Sequence, residues 1–124
     1  MNITIRVGEV ELNAVLYDTP TARQVARALP LTCRFNTWGD EIYFSIPVEA
    51  ELEEDAREEV QIGDLGYWPA GSAFCIFFGP TPMSKDDAIV PASAVNVIGK
   101  ITDGAVLLKR VMGESEVAVT LGSK

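Results

Sequence analysis

Six consecutive apolar residues, Ala73-Phe74-Cys75-Ile76-Phe77-Phe78, set the strongest constraint on how this chain can fold. Side chains of a strand alternate between two faces, so a run that is apolar at every position reads as a central strand covered on both sides. It is far too short to span a bilayer, which takes about 20 apolar residues in a helix. Gly79-Pro80-Thr81-Pro82 ends the run. Around it, apolar residues recur with a period of two. Ile3, Ile5 and Val7 alternate before Gly8-Glu9, and Val10, Leu12, Ala14 and Leu16 alternate after it, which predicts a hairpin. Leu31, Cys33 and Phe35 share one face, Gly39-Asp40 forms a turn, and Ile42, Phe44 and Ile46 return, which predicts a second hairpin. Residues 94–102 and 116–121 supply further strands, and the pattern leaves the type of the short segment 104–112 open.

One helix interrupts this series. Thr19 can cap free amide groups, and Pro20 suits the first helical position, where no hydrogen bond is lost. Ala22, Val25, Ala26 and Leu29 then repeat at helical spacing until Pro30. Residues 49–64 carry eight acidic side chains against Arg57 alone, the composition of a solvated excursion with room for a helical turn and nothing apolar enough to form core. Gly63-Asp64-Leu65-Gly66-Tyr67-Trp68-Pro69-Ala70-Gly71 bends the backbone sharply around two large aromatics. Many short strands with turns between them predict a mainly β, single domain over residues 1–124, its sheet curled and closed so that no edge is exposed.

The composition, 48% hydrophobic and 23% charged, is that of a globular chain rather than a disordered one. A net charge of −8 with no basic block disfavours nucleic acid and anionic membrane surfaces as partners. Arg6 and Glu9 precede any apolar stretch of signal-peptide length, so the expected location is the cytoplasm. There is no histidine, and Cys33 and Cys75 lie far apart in apolar segments, where a free cysteine behaves as a small hydrophobe. The usual zinc sites and every Ser-His-Asp or Cys-His arrangement are thereby excluded, and neither a metal nor a cofactor is expected.

Ala14-Val15-Leu16-Tyr17-Asp18-Thr19-Pro20-Thr21-Ala22 resembles the passage from strand to first helix in cyclophilins. Gly99-Lys100-Ile101-Thr102-Asp103-Gly104-Ala105-Val106-Leu107-Leu108-Lys109-Arg110-Val111 resembles their Gly-Lys strand running into a short helix, in the same order along the chain. The middle departs from the enzymes. Where they carry Phe-His-Arg and Gln-Gly-Gly-Asp motifs, this chain has Arg34-Phe35-Asn36-Thr37-Trp38-Gly39-Asp40. Gly63-Asp64-Leu65-Gly66-Tyr67-Trp68-Pro69 and Phe77-Phe78-Gly79-Pro80-Thr81-Pro82 look instead like the signature of a short, atypical prokaryotic cyclophilin-like family. The resemblance implies a closed barrel of about eight strands capped by one or two short helices, with conventional isomerase chemistry in doubt.

Prolyl isomerisation needs an apolar pocket and a donor to stabilise the twisted amide, against a barrier of about 18–20 kcal/mol. Arg34 is the candidate donor, sharing a strand face with Asn36 and Trp38; its alternative is an ordinary surface arginine. Tyr67 and Trp68 suit the wall of a half-apolar groove, or else plug a barrel end. Phe74, Phe77 and Phe78 read as core, although Phe78 could line a mouth, and Thr81 sits in a Pro80–Met83 turn that could form a groove rim. The leading expectation is therefore a binding domain. Arg34, Trp38, Tyr67, Trp68, Phe78 and Thr81 would frame an aromatic-lined groove for a small molecule or short extended peptide. A weak peptidyl-prolyl isomerase using Arg34 is the alternative, and an assembly role for the acidic excursion, facing a basic partner, is a third.

Overall fold

The computed structural model describes residues 1–122, so the last two positions of the expected 1–124 domain lie outside the described residues. The first hairpin forms as its alternation requires: β1 (Asn2–Val7) pairs antiparallel with β2 (Val10–Leu16). Helix α1 (Pro20–Ala28) follows, with the Thr19 hydroxyl accepting from the Ala22 amide at 3.2 Å. Then come β3 (Leu31–Arg34), β4 (Asn36–Thr37), β5 (Glu41–Ser45), β6 (Asp64–Trp68), β7 (Ala73–Phe77), β8 (Asn96–Ile101) and β9 (Glu116–Leu121). Short 3-10 turns occupy Pro69–Gly71 and Ala105–Arg110, the latter being the segment whose type the pattern left open.

All the strands join one sheet, in the order β3-β9-β1-β2-β8-β6-β7-β5-β4, through antiparallel pairs. Its two outer members are consecutive in the chain and separated by Phe35 alone. The same stretch of backbone therefore sits at both ends of the sheet, and the result is a nearly closed barrel of nine strands. This corrects the expected second hairpin. Leu31 to Arg34 pair with β9, and only Asn36 and Thr37 pair with β5. The Phe35 amide bonds to the Ser115 carbonyl at 3.1 Å, and the chain then bends across to the other edge. One expected strand is thus divided in two, which accounts for nine strands against about eight.

Inside the barrel, Ile3, Ile5, Leu12, Leu16, Ile42, Phe44, Leu65, Phe74, Ile76 and Ile98 form a continuous buried core. Phe44 and Phe74 stack with ring centroids 5.1 Å apart. Each such side chain is worth roughly 1.5–3 kcal/mol in area removed from water. The lumen is filled.

A second apolar cluster lies on the outer face of β5, β7, β6 and β8. Ala73, Cys75, Phe77 and Val95 pack there with Val60 and Ile89, partly covered by Tyr43, Trp68 and Val97. This outer layer is why residues 73–78 are buried on both faces. It also corrects the reading of residues 49–64 as wholly solvated, because Val60 is buried and bridges to Ile89.

The acidic excursion is tied down by one buried polar network. Asn96 accepts from the Glu53 amide at 2.7 Å and donates to the Glu51 carbonyl at 2.9 Å and the Thr21 hydroxyl at 3.0 Å. Glu53 in turn accepts from the Thr21 amide at 2.9 Å and from its hydroxyl. The first turn of α1 has no acidic residue of its own, so this carboxylate meets its free amides and positive dipole end. Among the described residues, no helix is long and apolar enough to cross a membrane.

Candidate functional site

The alternation that sends Ile42 and Phe44 inward sends Glu41 and Tyr43 outward from β5, beside Cys75 of β7, which pairs with Tyr43. On β6, Tyr67 points to the core and Trp68 to the outer layer. These outward side chains border a cavity of about 220 Å³ between the sheet and residues 91–95. Trp38, Tyr43 and Trp68 supply its aromatic walls, and Glu41 and Cys75 its polar groups. Pro91, Ala92 and Val95 complete the enclosure.

The backbone at Trp38 and the side chain of Trp68 are both held in place. Trp38 and Glu41 flank the Gly39-Asp40 turn, where the Trp38 amide donates to the Glu41 carbonyl at 2.9 Å. Gly39 has φ 61°, and a Cβ there would lie 2.8 Å from the Pro80 carbonyl oxygen, so the turn requires glycine for both reasons. The Trp68 indole N–H donates to the Ser93 hydroxyl at 2.6 Å, and its ring lies against Gly71, where any Cβ would come within 2.8 Å of it.

Glu41 is 5% exposed. Burial pushes its carboxyl up from 4.5 to about 7, while the hydrogen bond from the Cys75 thiol pulls weakly the other way. Burial raises the Cys75 thiol well above its ordinary value, and the adjacent Glu41 charge and hydrogen bond add to the rise. The thiol is therefore a hydrogen-bond donor at neutral pH and a poor nucleophile. Among the described residues Glu41 forms no ion pair; its neighbour Asp40 takes Lys109 at 3.6 Å. The site thus offers aromatic side chains, one carboxyl that titrates near neutrality, and no basic side chain in its lining. Among the described residues, no three His, Cys, Asp or Glu side chains are grouped as metal ligands would be.

A family model described as cyclophilin-like matches residues 1–120. The chain belongs to the cyclophilin-like family. The solution structure of the hypothetical protein AF2241 from Archaeoglobus fulgidus is similar to this cyclophilin-like chain at 45% identity and TM-score 0.81, covering 98% of this chain and 95% of that one. McbB, solved in complex with tryptophan, shares the fold at 14% identity and TM-score 0.70, over 98% of this chain and 45% of McbB. No curated protein matches.

Of the residues singled out in the sequence, this cyclophilin-like barrel brings Trp38 and Trp68 together at the cavity. The other four do not line it. Arg34 is exposed on β3, in register with Glu116 of β9. Tyr67 is fully buried; its hydroxyl donates to the Val48 carbonyl at 2.5 Å and accepts from the Ala50 amide at 3.3 Å, which fastens the chain beyond β5. Phe78 is fully buried in the inner core. Thr81 holds the loop that leads to the cavity: its hydroxyl donates to the Val90 carbonyl, and its amide donates to the Ser84 hydroxyl at 2.9 Å.

Sequence reasoning missed Glu41, Tyr43 and Cys75. The signal for the first two was present, since both stand opposite Ile42 and Phe44 in the alternation and follow Trp38 across the turn. Cys75 carried no such signal, because every neighbour in its run is apolar.

Proposed function

We propose that this cyclophilin-like barrel binds a small molecule in the outer-face cavity between Trp38 and Trp68. The observation that carries the reading is a buried carboxyl set among aromatic walls, in a cavity whose polar and apolar parts are both held by the fold. Specific ligand sites are mostly apolar with a few placed polar groups, and this is such an arrangement. Its volume of about 220 Å³ lies below the roughly 300–1,000 Å³ of clefts that hold drug-sized ligands, which favours a small molecule over an extended peptide. That McbB was solved with tryptophan is compatible with aromatic small-molecule binding by proteins containing this fold. Arg34 does not line the cavity, so an isomerase reading draws no support from it. The free thiols of Cys33 and Cys75 favour a cytoplasmic setting for this role.

Amide NMR titration with a small-molecule fragment set tests the reading. Shifts clustered at Trp38, Glu41, Tyr43 and Trp68, and reduced in Trp68→Ala, are expected. A fragment response confined to other surfaces, or none at millimolar concentration, would overturn it.

A further inference from the structure

We infer that the ligand of this cavity is an organic cation, an amine or quaternary ammonium head held between the aromatic walls with Glu41 as its counter-ion. The inference rests on the small-molecule reading and specifies the ligand's charge. Cations are drawn to aromatic rings, and Trp38, Tyr43 and Trp68 make up three of the eight lining residues, a composition that suits a positive group. The single carboxyl in the lining points to the same sign of charge. Glu41 is almost wholly buried yet has no cationic partner among the described residues, and a buried carboxylate without one is costly. Lys109 is committed to the neighbouring residue, pairing with Asp40 at 3.6 Å.

The groups that face the Glu41 carboxyl are equally specific. From β7 comes the Cys75 thiol, which is held protonated, donates to the Ala73 carbonyl at 3.9 Å and supplies no charge. Its own strand adds Tyr43 to the lining, and the covering loop adds only Pro91, Ala92 and Val95. Once Glu41 has lost its proton, no side chain in the lining can neutralise it, whereas an entering cation can. The chain's net charge of −8 adds a long-range pull on a cation and a push on an anion.

Choline and its neutral isostere 3,3-dimethyl-1-butanol test the charge directly, because they share a shape and differ in a single central atom. Each is titrated calorimetrically and by tryptophan fluorescence into the full chain and into Glu41→Gln, at pH 8, with 3,3-dimethylbutyrate as the anionic control. Choline binding at least tenfold tighter than the alcohol, with that preference lost in Glu41→Gln and no response to the anion, is the expected result. Equal binding of choline and the alcohol, or tighter binding of the anion, would overturn the cation assignment and leave the cavity reading standing. Silence from all three probes while other fragments still shift the Trp38 and Trp68 signals would likewise overturn the cation alone. Silence from every probe and fragment would remove both readings. A Glu41→Asp variant, which keeps the charge on a shorter stem, should retain part of the choline preference, whereas a purely structural role for Glu41 would not distinguish it from the glutamine variant.

Discussion

Replacing Glu41 by Gln should stabilise this protein at alkaline pH and leave it unchanged in acid. The folded chain holds the Glu41 proton up to about pH 7, whereas the unfolded chain releases it near 4.5. Between those values the folded state binds more protons, so stability falls as pH rises through that window and levels off above it. At about 1.4 kcal/mol for each pH unit, the full displacement corresponds to about 3 kcal/mol, and water reaching the carboxyl through the cavity mouth brings this towards about 2 kcal/mol. Glutamine keeps the length and carries no charge to bury. Urea unfolding of both proteins from pH 4 to pH 8.5 reads the difference. With a slope of about 1–3 kcal/mol per molar urea, the variant's midpoint at pH 8 should lie on the order of 1 M higher, converging with wild type near pH 4. The other carboxylates titrate in both proteins and cancel. Stability curves that run parallel over the whole range would refute the claim that Glu41 is buried without a charge partner.

Choline affinity should fall about tenfold per pH unit below pH 7 and level off above it, since only the ionised carboxyl pairs with the cation; a calorimetric profile flat between pH 5.5 and 7.5 would contradict this. Gly71→Val should push the Trp68 ring off its seat, weakening choline binding at least tenfold and shifting the tryptophan emission, and unchanged emission would show that the ring has room to spare. Asn96→Ala should cost about 1–3 kcal/mol, by leaving the Glu53 amide and Thr21 hydroxyl short of a partner. It should also speed proteolysis within residues 49–64, and cleavage at the wild-type rate would mean that the excursion is held by other contacts.

The strands were legible wherever one face meets the core, because burial on one side enforces the period of two. Ile3, Ile5 and Val7, Thr19-Pro20, and residues 116–121 all sit where their pattern places them. Pairing was less legible. Nothing in Leu31-Thr32-Cys33-Arg34 distinguishes β5 from β9 as its partner, since both offer alternating apolar residues and the choice is made by barrel closure, a property of the whole sheet. The same limit applies to the site. Trp38 and Trp68 were recognisable as aromatics beside glycine turns, but the hydrogen bond from Trp68 to Ser93 spans 25 residues and no local pattern signals it. Tyr67 and Trp68 are adjacent in sequence and equally suited to a groove, yet one step along β6 turns one to the interior and the other outward.

That one-residue step has a consequence for how this molecule can change over time. Strands β5, β6 and β7 carry core residues at alternate positions and cavity-lining residues at the intervening ones, so neighbouring codons meet separate structural demands. A change at Tyr43 or Trp68 alters the cavity lining while Phe44 and Tyr67 beside them keep the barrel intact. A scaffold arranged this way can have its outer cavity reshaped without its interior being rebuilt.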